Sequence, residues 1–254
     1  MTFRLTPMDL RVRHAHSIWH HMMAESCTKT DLINHLAAVH GYRRYLELCS
    51  NTTGLQFAQI DRSKLDCHRL MYRCPDQFSD GLEIDFRSSD LDITECLREI
   101  GQRQLCYDVM LVDPFHEYEA SLRDIAAAFD LVVPGGIIVV HDCLPPSEDL
   151  AVSQFIAGSW CGVTYKAYLD FVTARDDLAY YTVDTDFGCG VIHKLSGDLH
   201  SPKPPATPEH RDLIERWQRM GNDFEAAFRF FQQNQRSLLK LRTIDEFFQA
   251  ETDA

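Results

Sequence analysis

Between Tyr107 and Cys143 the chain reads YDVMLVDPFHEYEASLRDIAAAFDLVVPGGIIVVHDC, and few folds accommodate that order of residues. Val109 to Val112 is an apolar run of strand length that stops at Asp113. Glu119 to Val132 is helical by its spacing: Leu122, Ile125, Ala126, Phe129 and Val133 recur every three or four residues and share one face. Pro134-Gly135-Gly136 then breaks the chain. Ile137 to Val140 is apolar without polar alternation, as parallel strands covered on both faces are. The stretch is therefore a βαβ unit whose strands end in Asp113 and Asp142. Ligands of open α/β sheets bind beyond the carboxyl ends of the strands. These two acids, with His116 and His141 beside them, mark where the chemistry is expected.

Composition narrows the class around that unit. A chain of 254 residues holds one α/β domain with appendages. A net charge of −13 argues against non-specific nucleic-acid binding, which needs Lys and Arg to neutralise phosphates. No run approaches the roughly 18 apolar residues of a membrane span, and MTFRLTPMDLRVRHAH lacks the apolar centre of a signal peptide. Nine cysteines without a CxxC pair suggest neither a disulfide framework nor a zinc ribbon. A reduced, cytoplasmic enzyme is expected, with no membrane or nucleic-acid partner.

Residues 1–40 read as two helical pieces on the substrate side, the second opened by Thr30 as N-cap. His16 and His20 in the first have the i, i+4 spacing of a metal pair, although no HExxH accompanies them. Tyr45 to Cys49 is the first strand of a domain over 41–195; it runs into Ser50-Asn51-Thr52-Thr53-Gly54 and a helix from Leu55 to about Arg62. A strand, a small-residue turn and a helix can bring backbone N–H groups close to a nucleotide-like ligand, although this is not GxGxxG. Further strands are expected at Arg69–Cys74 and Leu82–Arg87, and helices at Asp92–Ile100 and about Leu150–Gly158. Trp160 to Asp170 reads either as a substrate-facing helix, with Lys166 facing an anionic or sugar-like substrate, or as a buried one. Leu178–Asp184 and Gly190–Lys194 form a terminal hairpin. A linker over 196–208 leads to a helical tail over 209–254, whose aromatic stripe suits core packing or a homodimer contact.

This order, and three motifs within it, resemble the class I S-adenosylmethionine-dependent methyltransferases. Tyr45-Leu46-Glu47-Leu48 followed by Gly54 is similar to their first motif. Val112-Asp113-Pro114-Phe115-His116-Glu117-Tyr118-Glu119 resembles a segment of their macrocin-like and catechol-like O-methyltransferase group, and Pro134-Gly135-Gly136 with His141-Asp142 resembles the segment that follows it. The resemblance implies a Rossmann-like, mostly parallel sheet closed by the hairpin. It implies S-adenosylmethionine held by Glu47, Cys49, Ser50, Gly54, Asp90 and Asp113, and a small-molecule acceptor methylated on a hydroxyl oxygen. It implies a cation, Mg²⁺, on Asp113, Asp142 and His116; without one, His116, His141 or Asp113 would act as base. The chain departs from the family pattern at Cys49, which stands where the first glycine is usual, and after the second strand, where no acid is placed for the ribose. These departures keep open a degenerate, non-catalytic binding domain, and the Asp/His cluster keeps open an Fe²⁺-dependent oxygenase or hydrolytic enzyme on the same fold.

Overall fold

The apolar runs of the sequence become the strands of one sheet. The computed structural model describes residues 27–50, 55–74, 84–196 and 207–252. The first predicted helix with His16 and His20, Gly54 and most of the 196–208 linker lie outside them. In chain order the elements are α1 (Lys29–His40), β1 (Arg44–Cys49), α2 (Leu55–Ala58), β2 (Asp66–Met71), β3 (Phe86–Arg87), α3 (Thr94–Gln102), β4 (Tyr107–Asp113), α4 (Tyr118–Leu131) and β5 (Val132–Val140). Then come α5 (Thr164–Thr173), β6 (Leu178–Val183), β7 (Cys189–Lys194), α6 (Pro208–Gln218), α7 (Phe224–Leu238), β8 (Leu241–Arg242) and α8 (Ile244–Thr252). The strand order is β3-β2-β1-β4-β5-β7-β6-β8. β1 to β5 are parallel, and β7 is antiparallel to both β5 and β6. This is a Rossmann-like sheet closed by a terminal hairpin, as expected.

Both faces of the sheet are covered, which explains why its central strands lack polar alternation. Leu46, Leu48, Met110, Val112, Ile138 and Val140 pack in one cluster with α3, α4, α5 and the aromatic residues of α6 and α7. The alternate residues Tyr45, Val109, Leu111, Ile137 and Val139 pack on the other face with α1, α2 and Phe247 of α8. The tail is thus part of both layers, and β8 extends the sheet beside β6. Trp217 and Phe231 are fully buried against α5, so this part of the stripe is covered within the chain.

Several boundaries differ from the sequence reading, each for a local reason. The N-cap of α1 is Thr28 rather than Thr30, because Thr28 and Asp31 form a reciprocal capping box. β2 starts and ends three residues early: it pairs Asp66 to Met71 with β1, and Arg73 leaves the sheet at φ 53. Pro134-Gly135-Gly136 does not break the chain but lies in β5 as an irregularity, between the pairs Tyr107↔Val132 and Val109↔Ile137. A Cβ on Gly136 would sit 2.6 Å from the Asp108 carbonyl oxygen, so only glycine fits there. The helix expected at 150–158 is a single 3₁₀ turn, Glu148–Leu150.

Candidate active site

The sheet reverses its direction of growth at β1: β2 and β3 lie to one side, β4 and β5 to the other. Crevices of this kind, at the carboxyl ends of parallel strands, are where open α/β sheets receive ligands. β1 and β4 finish in register, with Cys49 opposite Asp113, and the Ser50 N–H donates to the Asp113 carbonyl at 3.1 Å. Beside them β5 ends at Val140, and the chain turns sharply through Asp142 at φ 62. That left-handed conformation is costly for a residue with a side chain. It is held by neighbours on both sides: the His141 N–H donates to the Val112 carbonyl and the Cys143 N–H to the Gly188 carbonyl.

These turns bring four predicted residues together. His116 Nε2 lies 3.0 Å from Asp142 Oδ2 and 3.5 Å from Asp113 Oδ1. His141 Nδ1 lies 3.1 Å and 3.6 Å from the same two oxygens. Asp113, Asp142 and His141 are buried, and their ligand atoms lie within 4.8 Å of one another. His116 is fixed from behind, because its Nδ1 faces the Trp160 carbonyl, an acceptor to which only an N–H can donate. The segment carrying that carbonyl is packed onto His116 by Gly162: a Cβ there would sit 2.1 Å from the His116 carbonyl oxygen.

Four further residues, not singled out in the sequence, complete the cluster. Lys29, at the start of α1, reaches Asp113 Oδ2 at 3.3 Å and His141 Nε2 at 3.2 Å. Asp186, in the hairpin turn, lies 3.2 Å from His141 Nε2 and accepts the Lys29 backbone N–H at 3.1 Å. Gln56 Nε2 donates to Asp113 Oδ2 at 3.2 Å, and the buried Cys161 thiol is hydrogen-bonded to Asp142. An acid in a five-residue link between strands looks like a turn former, and a lysine beside a helix cap looks solvated; neither pattern signals a site. Cys143, which follows the second acid, turns away and donates to the Val140 carbonyl at 3.3 Å.

Charge governs the cluster. Burial alone would raise the Asp113 carboxyl, but Lys29 and His141 hold it well below the usual carboxylate range. Asp142 is likewise lowered against burial, by His141 and His116, and Asp186 by His141 and Lys29. Burial would lower His116, yet Asp142 and Asp113 lift it to about 9, and His141 rises for similar reasons. The imidazoles do not titrate near neutral pH as isolated bases would, because the carboxylates beside them favour their charged forms. Aromatic rings stand next to His116: Phe115 and Trp160 have centroids 5.2 Å apart, and the exposed Phe155 packs on both at 5.9 and 5.3 Å.

The other predicted residues are placed differently. Glu47 is fully buried on β1, with Oε1 3.2 Å from Arg69 Nε, so this acid sits inside the sheet rather than at a solvated strand end. Asp90 folds onto its own loop, accepting the Asp92 N–H at 2.8 Å and the Ser88 hydroxyl at 3.2 Å. Arg73 follows β2, and its guanidinium stacks on Phe115 at 3.8 Å. Lys166 is buried and paired with Asp170, so it presents no free charge to a substrate.

No family model matches the sequence, and no curated protein matches it. Among solved structures, an O-methyltransferase from Bacillus cereus in complex with SAH is similar at 13% identity, with 76% of this chain and 93% of that one covered and a TM-score of 0.49. The O-methyltransferase TomG from Streptomyces achromogenes, in complex with SAM, is similar at 12% identity, with 77% and 93% covered and a TM-score of 0.48. Such identities bear on fold alone, and the strand order states the fold independently. It is a Rossmann-like, mostly parallel sheet closed by the antiparallel β6–β7 hairpin. Among the described residues, no helix is long and apolar enough to cross a membrane.

Proposed function

We propose that the chain is an S-adenosylmethionine-dependent methyltransferase acting on a hydroxyl oxygen of a small molecule. One observation carries this reading: a buried set of acids and imidazoles stands at the rim of the sheet's switch point, where β4 and β5 end beside β1. Cys49, Ser50 and Asp113 at that edge would hold the methionine side of the cofactor, with Asp90 on the adenine side; Glu47 would act from within the sheet, and Gly54, outside the described residues, would serve as the resemblance implies. Bound there, the cofactor supplies a methyl group already activated on sulfur.

The protein's own part is then to align the acceptor oxygen and to remove its proton. Proton removal falls to the Asp113–His116–Asp142 set in the form whose imidazole has lost its proton, which for His116 means above about 9, with His141 as the second imidazole on the same two carboxylates. Phe115, Trp160 and the exposed Phe155 offer the acceptor an apolar wall next to His116. Among the described residues that follow β2, Arg73 and Cys74 stand where the ribose acid is usual, so that contact falls to another group. Equilibrium dialysis against methyl-labelled S-adenosylmethionine tests the reading. Saturable binding displaced by S-adenosylhomocysteine but not by NAD is expected; displacement by NAD alone, or no saturable binding, would overturn it.

A further inference from the structure

The resemblance to catechol-like enzymes implies Mg²⁺ between the acids of β4 and β5, and the donor set does not fit that ion. Mg²⁺ demands a near-octahedral shell of hard oxygen ligands and keeps several waters. Here two ring nitrogens point into the same place as the two carboxylate oxygens. Adjacent donors on one ion at about 2.0–2.1 Å lie roughly 3.0 to 3.4 Å apart, depending on geometry. The four nitrogen–oxygen separations run from 3.0 to 3.6 Å. We propose that Asp113, Asp142 and His141, flanked by His116, form a mixed oxygen–nitrogen site for a first-row transition ion of the Fe²⁺, Co²⁺ or Zn²⁺ class.

Two independent features point to a ligand there. His116 Nε2 and His141 Nδ1 are both buried, and neither makes a well-directed hydrogen bond within the described structure, although carboxylate oxygens lie close to each. Buried polar atoms left in this way are rare and call for a partner. The far nitrogens face acceptors, His116 the Trp160 carbonyl and His141 Asp186 Oδ1 at 3.2 Å, with the Lys29 ammonium also 3.2 Å from that His141 nitrogen. An acceptor behind an imidazole keeps a proton on the rear nitrogen, so an ion in front displaces only the proton of the forward one, the usual arrangement around metal-bound histidine. Imidazole selects Zn and Fe over Mg. Cys143, the residue next to the second acid, is no ligand, since its thiol is bonded to backbone carbonyls.

The inference goes beyond the methyl-transfer reading and does not depend on it. Its test is calorimetry on the full chain, prepared without a polyhistidine tag and stripped with chelator, titrated separately with ZnCl₂, CoCl₂ and MgCl₂. Zinc and cobalt are expected to bind one per chain, at least about 100-fold more tightly than magnesium, in the order ligand softness dictates. Bound Co²⁺ should show visible absorption that disappears in Asp142→Asn and changes in His141→Gln. Asp186→Asn should weaken zinc about 10- to 100-fold as an orienting partner. Circular dichroism on each variant separates lost binding from lost fold. Magnesium binding as tight as zinc, no stoichiometric binding of any of the three, or an unchanged cobalt spectrum in folded His141→Gln would each overturn the proposal. None of these outcomes turns on whether S-adenosylhomocysteine binds.

Discussion

At the scale of single residues, two positions carry more than their identities suggest. Glu47 and Arg69 are both fully buried and face each other across β1 and β2. Removing one partner of such a pair strands a charge in the core, which costs about 3–5 kcal/mol. Arg69→Ala should therefore lower the urea-derived stability by that amount, and Glu47→Gln with Arg69→Met should recover most of it. Equal losses in the single and double variants would contradict the pairing. Gly162 acts through sterics: its φ of 55 and the 2.1 Å contact a Cβ would make with the His116 carbonyl leave no room for a side chain. Gly162→Ala should cost on the order of 2 kcal/mol and disturb His116. A denaturation midpoint equal to that of the unaltered chain would show that this contact does not hold the loop.

At the scale of elements, the exits of β2 and β4 are tied to α4 by one buried network. The Tyr72 hydroxyl donates to Asp124 Oδ2 at 2.7 Å and accepts the Phe115 N–H, while Arg123 Nε donates to Asp124 Oδ1 at 2.8 Å. Burial lifts the Asp124 carboxyl to about 6, against the pull of Arg123 and Tyr72. With a folded value above the ordinary 3.8, the folded state binds the extra proton between those two values. Its stabilising contribution is present below 3.8 and is lost as pH rises through about 6. The unfolding free energy of the unaltered chain minus that of Asp124→Asn should fall by on the order of 2 kcal/mol between pH 4 and pH 7.5; a flat difference would refute the assignment. Local patterns read well at this scale: the helix face of α4 and the apolar runs of β4 and β5 needed only spacing to find. The start of β2 did not, because Asp66-Cys67-His68 becomes strand only by pairing with β1. Pro134-Gly135-Gly136 reads as a break and is a bulge, because β4 lies alongside to hold it.

At the scale of the whole molecule, the βαβ unit with its terminal acids was legible, and so was the company of Asp113, His116, His141 and Asp142. Lys29 and Asp186, 157 residues apart, were not, since only the closed sheet brings the start of α1 to the hairpin turn. The tail is likewise integral: Trp217, Phe231 and Phe247 are fully buried against the layers of the sheet. A chain ending at residue 206 should fail to show a cooperative melt, and a sharp transition would mean that the tail is dispensable. The proposed function turns on one claim, that the cleft at β1 and β4 takes an adenosyl cofactor. Isothermal titration of the full chain with S-adenosylhomocysteine tests it most directly. The account predicts one site per chain, weakened at least about tenfold, roughly 1.4 kcal/mol, by Ser50→Trp at the edge of the cleft. Absence of heat at any ratio, or binding indifferent to Ser50→Trp, would contradict it.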